Sequence, residues 1–243
     1  MAIIRGMIEK PVENPSQLAT DIVATGAALA IVRVPAGDMA LPLALMANGL
    51  SPIHADTLVY YERDVSSPAR QVKQDSTFLI EPAVESDRAV LLTLATEVFR
   101  KYRSHYHANP RLDSKIIADG YGEWATSCLV DSLELEQRKH ETWVVRQYSR
   151  VVAFATCAID GQNKNAEILL NAVDPCCERK GIYGSLLRHL VDTYHCRGLS
   201  TFQISTQVWN YTVQRAWVRE GFLLTHAFDT YHVPMDNQLA ASR

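Results

Sequence analysis

Residues 173–184, with the sequence VDPCCERKGIYG, hold the densest chemistry in this chain. An apolar run ends at Pro175, a short polar loop follows, and Gly181 and Gly184 open an apolar-periodic segment. Unpaired backbone N–H groups at a helix start converge on one point, and the helix dipole favours negative charge there. Arg179 and Lys180 add positive charge at the rim, and glycine lets an anion approach the backbone. Such a loop can cradle a pyrophosphate. An ordinary strand-to-helix turn uses the same residue types, so the loop alone leaves both readings open.

The remaining reactive side chains are scattered. Among eight histidines no pair has HxxxH spacing backed by an acid, so no metal is expected. Five cysteines, including the adjacent Cys176 and Cys177, lack the spacing of a disulfide framework or a zinc site.

The elements that must position these groups can be read from periodicity. Residues 16–25 read as a helix, 27–34 as a buried strand, 39–47 as a helix stopped by Asn48-Gly49, and 57–63 as a strand. The polar stretch after residue 63 marks a boundary. We therefore divide the chain into an N-terminal α/β half-domain (1–65), a linker (66–76), a main domain (77–234) and a disordered tail (235–243). In the main domain, residues 77–80 read as a strand. Ser86 is expected to cap a helix whose apolar stripe is Val90, Leu94, Val98 and Tyr102. A second amphipathic stretch spans 112–129. The period then changes to two: 142–147 and 151–159 form a hairpin, and 168–173 a third strand. A helix with the stripe Ile182, Leu186, Leu190 and Tyr194 ends near Gly198, and 202–208 alternate as a strand. Asn210 is expected to cap a helix ended by Gly221, and 222–233 to form the last strand.

Composition narrows the partners. Apolar residues make up 47% and charged residues 21%, ordinary for a globular chain. A net charge of −3 and a pI near 6.2 give no sign of a nucleic acid partner. No run of 18 apolar residues exists and the N-terminus lacks a cleavage site, so neither a membrane nor secretion is expected. The cytoplasm is the expected location.

The loop resembles the acyl-CoA loop of GNAT acetyltransferases, Q/R-x-x-G-x-G/A after a strand ending in V-x-P. Val173-Asp174-Pro175 matches the strand end, Glu178 stands at the Gln/Arg position, Gly181 is the first glycine, and Tyr183 replaces the second. Asn210 and Gly221-Phe222 resemble the family's closing N-x-x-A-x-x-x-Y-x-x-x-G-F signature, and the element order of 77–234 also agrees. The resemblance implies a GNAT fold of α+β class, with a mixed, mostly antiparallel sheet flanked by helices. It also implies transfer of an acyl group from acetyl-CoA, or another short acyl-CoA, to an amine.

On that basis, backbone groups of Asn171 and Val173 would pair with the pantetheine arm. Glu178, Arg179, Lys180, Gly181, Ile182, Tyr183, Gly184 and Asn210 would complete the cofactor site. The family's acidic tyrosine should lie seven residues after Asn210, but that position is Trp217, whose indole donates a hydrogen bond without delivering a proton. Tyr211 and Tyr183 are the phenols that could serve instead. His107, in a polar loop, is the first candidate base, with His105 its rival and Glu167 a third option. RSHYHANP, GIYGSLL and STQVWNYTVQ further resemble the TDP-fucosamine acetyltransferase type. That type implies a nucleotide-linked amino-dideoxyhexose acceptor, as in surface polysaccharide biosynthesis, bound by Tyr102, Arg103, His105 and Tyr106. A homodimer is compatible with this reading. Two others stay open: a GNAT enzyme acting on a polyamine, peptide or antibiotic, and a non-catalytic CoA-binding module.

Overall fold

The computed structural model describes residues 2–72, 77–130 and 139–235. Its elements run β1 (Ile3–Met7), α1 (Pro15–Ala24), β2 (Leu29–Pro35), α2 (Ala40–Ala47), β3 (Ile53–Asp64) and β4 (Phe78–Pro82). Then come α3 (Arg88–Arg100), α4 (Ser114–Val130), β5 (Lys139–Gln147), β6 (Arg150–Asp160) and β7 (Asn165–Val173). Last are α5 (Ile182–Cys196), β8 (Thr201–Gln207), α6 (Tyr211–Arg219) and β9 (Leu223–Pro234). One sheet takes in every strand, in the order β1-β2-β9-β3-β8-β7-β6-β5-β4. Among the described residues only the β1–β2 and β7–β8 pairs are parallel. This is the α+β arrangement that the resemblance implies, a mixed, mostly antiparallel sheet flanked by helices.

Local sequence accounts for most elements. The run from Val151 to Ala158 is buried throughout, as a strand covered on both faces requires. Tyr148 and Ser149 take φ of 49° and 65°, the two left-handed residues of a tight hairpin turn between β5 and β6. In α5, Ile182, Leu186, Leu187, Leu190, Val191 and Tyr194 face the core.

Some expectations need correction. The buried stripe of α3 is Leu91, Leu94, Ala95 and Phe99, and Val90 is exposed. Successive i+4 steps drift about 40° each around a helix, so Val90 and Tyr102 cannot share one face. Ser86 does not cap this helix. The Asp87 carboxylate accepts from Val84 N at 3.0 Å and holds Arg146. β7 stops at Val173, and Asp174 caps a 3-10 turn over Pro175–Cys177.

The first 65 residues and the main domain share the sheet. β3 lies between β8 and β9, antiparallel to both. Residues 65–70 are packed, not free: Val65 N bonds Ser200 O at 3.0 Å, and Ala69 N bonds Asp192 Oδ1 at 2.7 Å. Of the expected tail, Met235 is buried, and 236–243 lie outside the described residues. Helices α1 and α2 pack on the β2–β9 end, α5 on the middle of the same face, and α3 and α4 on the opposite face over β5–β7.

Candidate active site

The parallel pairing of β7 with β8 runs from Asn165↔Thr201 to Ile168↔Ile204 and stops. Beyond it the strands part. At that point the β6–β7 register shifts, Thr156 pairing Leu170 while Cys157 pairs Ile168, so Leu169 is an extra residue. A bulge bends its strand and re-aims the residues beyond it. Asp174 N bonds Val152 O at 2.8 Å across β6. Antiparallel pairing alternates, so Ala172 also turns its polar groups to β6. Asn171 and Val173 therefore turn theirs to the other edge, into the opening.

α5 begins beside this opening. Gly181 takes φ 78°, and a Cβ there would meet nothing within 4 Å, so its backbone conformation, not crowding, selects glycine. Arg179, at φ 59°, holds a left-handed conformation uncommon for an arginine. The first intrahelical bond is Ser185 N to Gly181 O at 3.0 Å. Among the described residues, the amides of Gly181, Ile182, Tyr183 and Gly184 have no partner. Glu178, Arg179, Lys180 and Gly181 are exposed around them. The turn is open to solvent, with its donors unspent.

Gly184 has a different task from Gly181. A Cβ on it would sit 3.1 Å from Glu220 Oε1 and 3.2 Å from Arg188 Nη1. The buried Glu220 carboxylate accepts from Arg188 at 2.6 Å and from Arg70 at 3.0 Å, and Arg63 bonds its backbone oxygen. The second glycine thus lets α5 close on an ion-pair cluster at the end of α6. Sequence reading assigned both glycines to the anion, and the geometry adds a packing demand at the second.

Trp217 is 1% exposed and donates its indole N–H to the Tyr183 hydroxyl at 2.7 Å. Burial, then the nearby Cys157 and Tyr102, push the Tyr183 phenol well above its ordinary pKa, against the Trp217 hydrogen bond. With its oxygen occupied by Trp217, Tyr183 keeps its own hydrogen for another acceptor. Tyr211, the other candidate phenol, is 60% exposed. Asn210 holds the N-cap position of α6 without a capping bond, and its side-chain amide donates to Thr206 Oγ1 at 3.0 Å.

The proposed acceptor residues divide. Tyr102 donates to Gln207 and lies 3.1 Å from Thr206 Oγ1. His105 is buried, with Nδ1 2.9 Å from His232 Nε2. Burial above all, then Arg33, depresses these imidazoles to pKa of about 3 for His105 and about 4 for His232. Both are neutral at physiological pH. Tyr106 lies under the Arg5 guanidinium, 5.8 Å from the ring centre, and His107 Nδ1 lies 3.1 Å from Ser104 Oγ. Of the four residues expected to hold a nucleotide, only Arg103 is exposed; it stacks 4.9 Å over the Trp209 ring.

Sequence reading missed Asp56, Trp209, Gln207 and His232. Each sits in a strand or turn whose local pattern is unremarkable, and only pairing brings them together. Among the described residues no group of three His, Cys, Asp or Glu could hold a metal ion, and no helix is long and apolar enough to cross a membrane.

No curated protein matches the chain in sequence. Three solved structures resemble it in fold. A Drosophila protein is 12% identical with a TM-score of 0.56, over 86% of this chain and 61% of that one. A GCN5-related N-acetyltransferase from Sphaerobacter thermophilus is 14% identical with a TM-score of 0.58, over 84% and 59%. A tandem GNAT protein from the clavulanic acid biosynthesis pathway is 10% identical with a TM-score of 0.58, over 89% and 67%. The chain thus spans about three-fifths of the length of the first two. Residues 102–222 match the model of the acetyltransferase (GNAT) family. That match covers the parted strands, the α5 turn and α6, so residues 102–222 are similar to the acetyltransferase (GNAT) family and the chain has a GNAT fold.

Proposed function

We propose that the protein transfers an acyl group from acyl-CoA to an amine. One observation carries this reading: unpartnered amides at the start of α5 stand beside the opening between β7 and β8. The amides of Gly181, Ile182, Tyr183 and Gly184 would bind the diphosphate, with Arg179 and Lys180 at the rim. The edge groups of Asn171 and Val173 would pair with the amides of the pantetheine arm like an added strand. An amide N–H at the bulge would polarise the thioester carbonyl. Tyr183, oriented by Trp217, would donate its hydrogen to the departing thiolate. Glu178, at the edge of the turn, would contribute its backbone. The acyl group would be a short one, acetyl or hydroxyacyl.

His107 is the base that the sequence suggests; its Nδ1 lies beside Ser104 Oγ, and Nε2 is outside that contact. His105 is a poor base, because burial keeps its imidazole neutral to about pH 3.

For the acceptor, the nucleotide-linked amino-dideoxy sugar is favoured by the exposed Arg103–Trp209 pair, which offers a stacking face and a cation for phosphate. Another amine is favoured by the inward placement of Tyr102 and His105.

The test is release of free thiol from acetyl-CoA with a panel of TDP- and UDP-amino sugars, spermidine and peptide N-termini. Release with at least one amine supports acyl transfer, and the responding amine selects the acceptor class. Acetyl-CoA binding without release for any amine would leave a non-catalytic CoA module and end the reading.

A further inference from the structure

Where the His105–Ala108 turn lies on β3 and β9, three buried polar groups lack partners: both carboxylate oxygens of Asp56, Asn109 Nδ2 and His232 Nδ1. Unsatisfied buried groups are rare, and several in one place call for an explanation. Asp56 enters this place because β3 shifts register between His54 and Asp56, with Ala55 the extra residue. It then pairs with Thr230, two residues from His232 on the same face of β9. Thr230 and Gln207 approach the carboxylate without completing a hydrogen bond in this geometry.

We propose that Asp56 is the residue that receives the acceptor amine, holding it as an ammonium and taking its proton before attack. This rests on the acyl-transfer reading above. It names the ligand as an alkylammonium group and the base as a carboxylate from the N-terminal strand β3, not a histidine of the loop. The surroundings fit such a guest. Tyr102 and Tyr121 are close enough to sense the Asp56 charge. His105 and His232 stay neutral and do not compete for the carboxylate. The groups acting on Asp56 are Arg33 from β2, His54 from β3, Gln207 from β8 and Thr230 from β9. Burial outweighs them and raises its pKa, which moves a carboxylate toward the range of a working base. The turn that covers the site is one 3-10 element, bonded to the sheet through His105 and His232, so a small movement would admit the amine.

The step balances without another reactant. One proton passes from the ammonium to Asp56. The nitrogen lone pair forms the C–N bond, and the C–S bond breaks with its pair on sulfur. The second proton shed by nitrogen ends on the CoA thiol, and Asp56 returns its own to water.

The experiment compares wild type, Asp56→Asn and His107→Gln by thiol release over a pH series, with acetyl-CoA affinity and melting temperature measured alongside. We expect Asp56→Asn to fold, to bind acetyl-CoA within about twofold of wild type, and to lose at least about 100-fold in kcat/KM for the amine. The rise of kcat/KM with pH seen in wild type should disappear in Asp56→Asn and persist in His107→Gln. Asp56→Asn with wild-type kcat/KM and pH profile would overturn the assignment while leaving acyl transfer intact. So would a loss of acetyl-CoA binding in step with activity, since that marks a structural role. A wild type that releases thiol with no amine would overturn both.

Discussion

At the opening between β7 and β8 the polar groups on offer are backbone amides, solvent-exposed and held by one helix start. Under the His105–Ala108 turn they are side chains, buried and contributed by β3, β8, β9 and the segment between α3 and α4. The first region needs only a correct local fold, because a helix start carries unpaired N–H groups whatever its side chains. The second needs several distant strands in the correct register. One therefore suits the part of a substrate common to every acyl-CoA, and the other the part that varies between acceptors.

The largest effect that would break this contrast is at Gly181. Gly181→Glu should weaken acetyl-CoA binding by at least about 100-fold, which is about 2.7 kcal/mol, measured by calorimetry. Gly181→Asn tolerates the left-handed backbone and adds no charge, so it should stay within a few-fold. Equal affinities for wild type and the glutamate variant would mean that the turn holds no anion.

Next is the phenol. Tyr183→Phe should lower kcat by about 10- to 100-fold without changing acetyl-CoA affinity, and Trp217→Phe should follow it by less, since it only orients the hydroxyl. Tyr211→Phe should stay within about twofold. A reversed order in steady-state assays would move the proton donor to α6.

A smaller effect sharpens the acceptor side. Arg103→Ala should raise KM several-fold for a nucleotide-linked amine and leave it unchanged for spermidine, because only the former carries phosphate for the guanidinium. Identical KM shifts for both acceptors would assign the Arg103–Trp209 pair to structure alone.

The smallest is a melting temperature. Asp56 has a folded pKa raised by burial, so its neutral form is favoured in the fold. That contribution is full below the unfolded carboxyl pKa and is lost as pH rises through the folded value. Asp56→Asn should therefore melt above wild type at pH 7, by about 2–4 °C per kcal/mol recovered, and the two should converge near pH 3. His105 and His232 act oppositely: their depressed pKa values remove stability as pH falls from the ordinary histidine range toward about 3 and about 4, respectively. Parallel melting curves for Asp56→Asn and wild type across this range would show that the carboxylate is not desolvated.

What sequence alone determined is what is local. The apolar period of α5, Gly181 at its start, the two-residue turn of the β5–β6 hairpin and the helix stop at Gly198 each depend on neighbours a few residues away. Their physics is complete within a short window, so the glycine turn opening α5 was legible in the sequence. Tertiary structure alone decided the rest. It set Gly184 against Glu220, tied Trp217 to Tyr183, and buried His105 against His232. It also inserted β3 between β8 and β9, where Thr57 Oγ1 donates to Asp229 Oδ1 at 2.6 Å over a separation of 172 residues. Strand order and register are set by which distant edges meet, and a one-residue shift, as at Ala55, turns a side chain to the other face. No window of sequence holds that information, so the Asp56 side chain emerges only once the sheet is assembled.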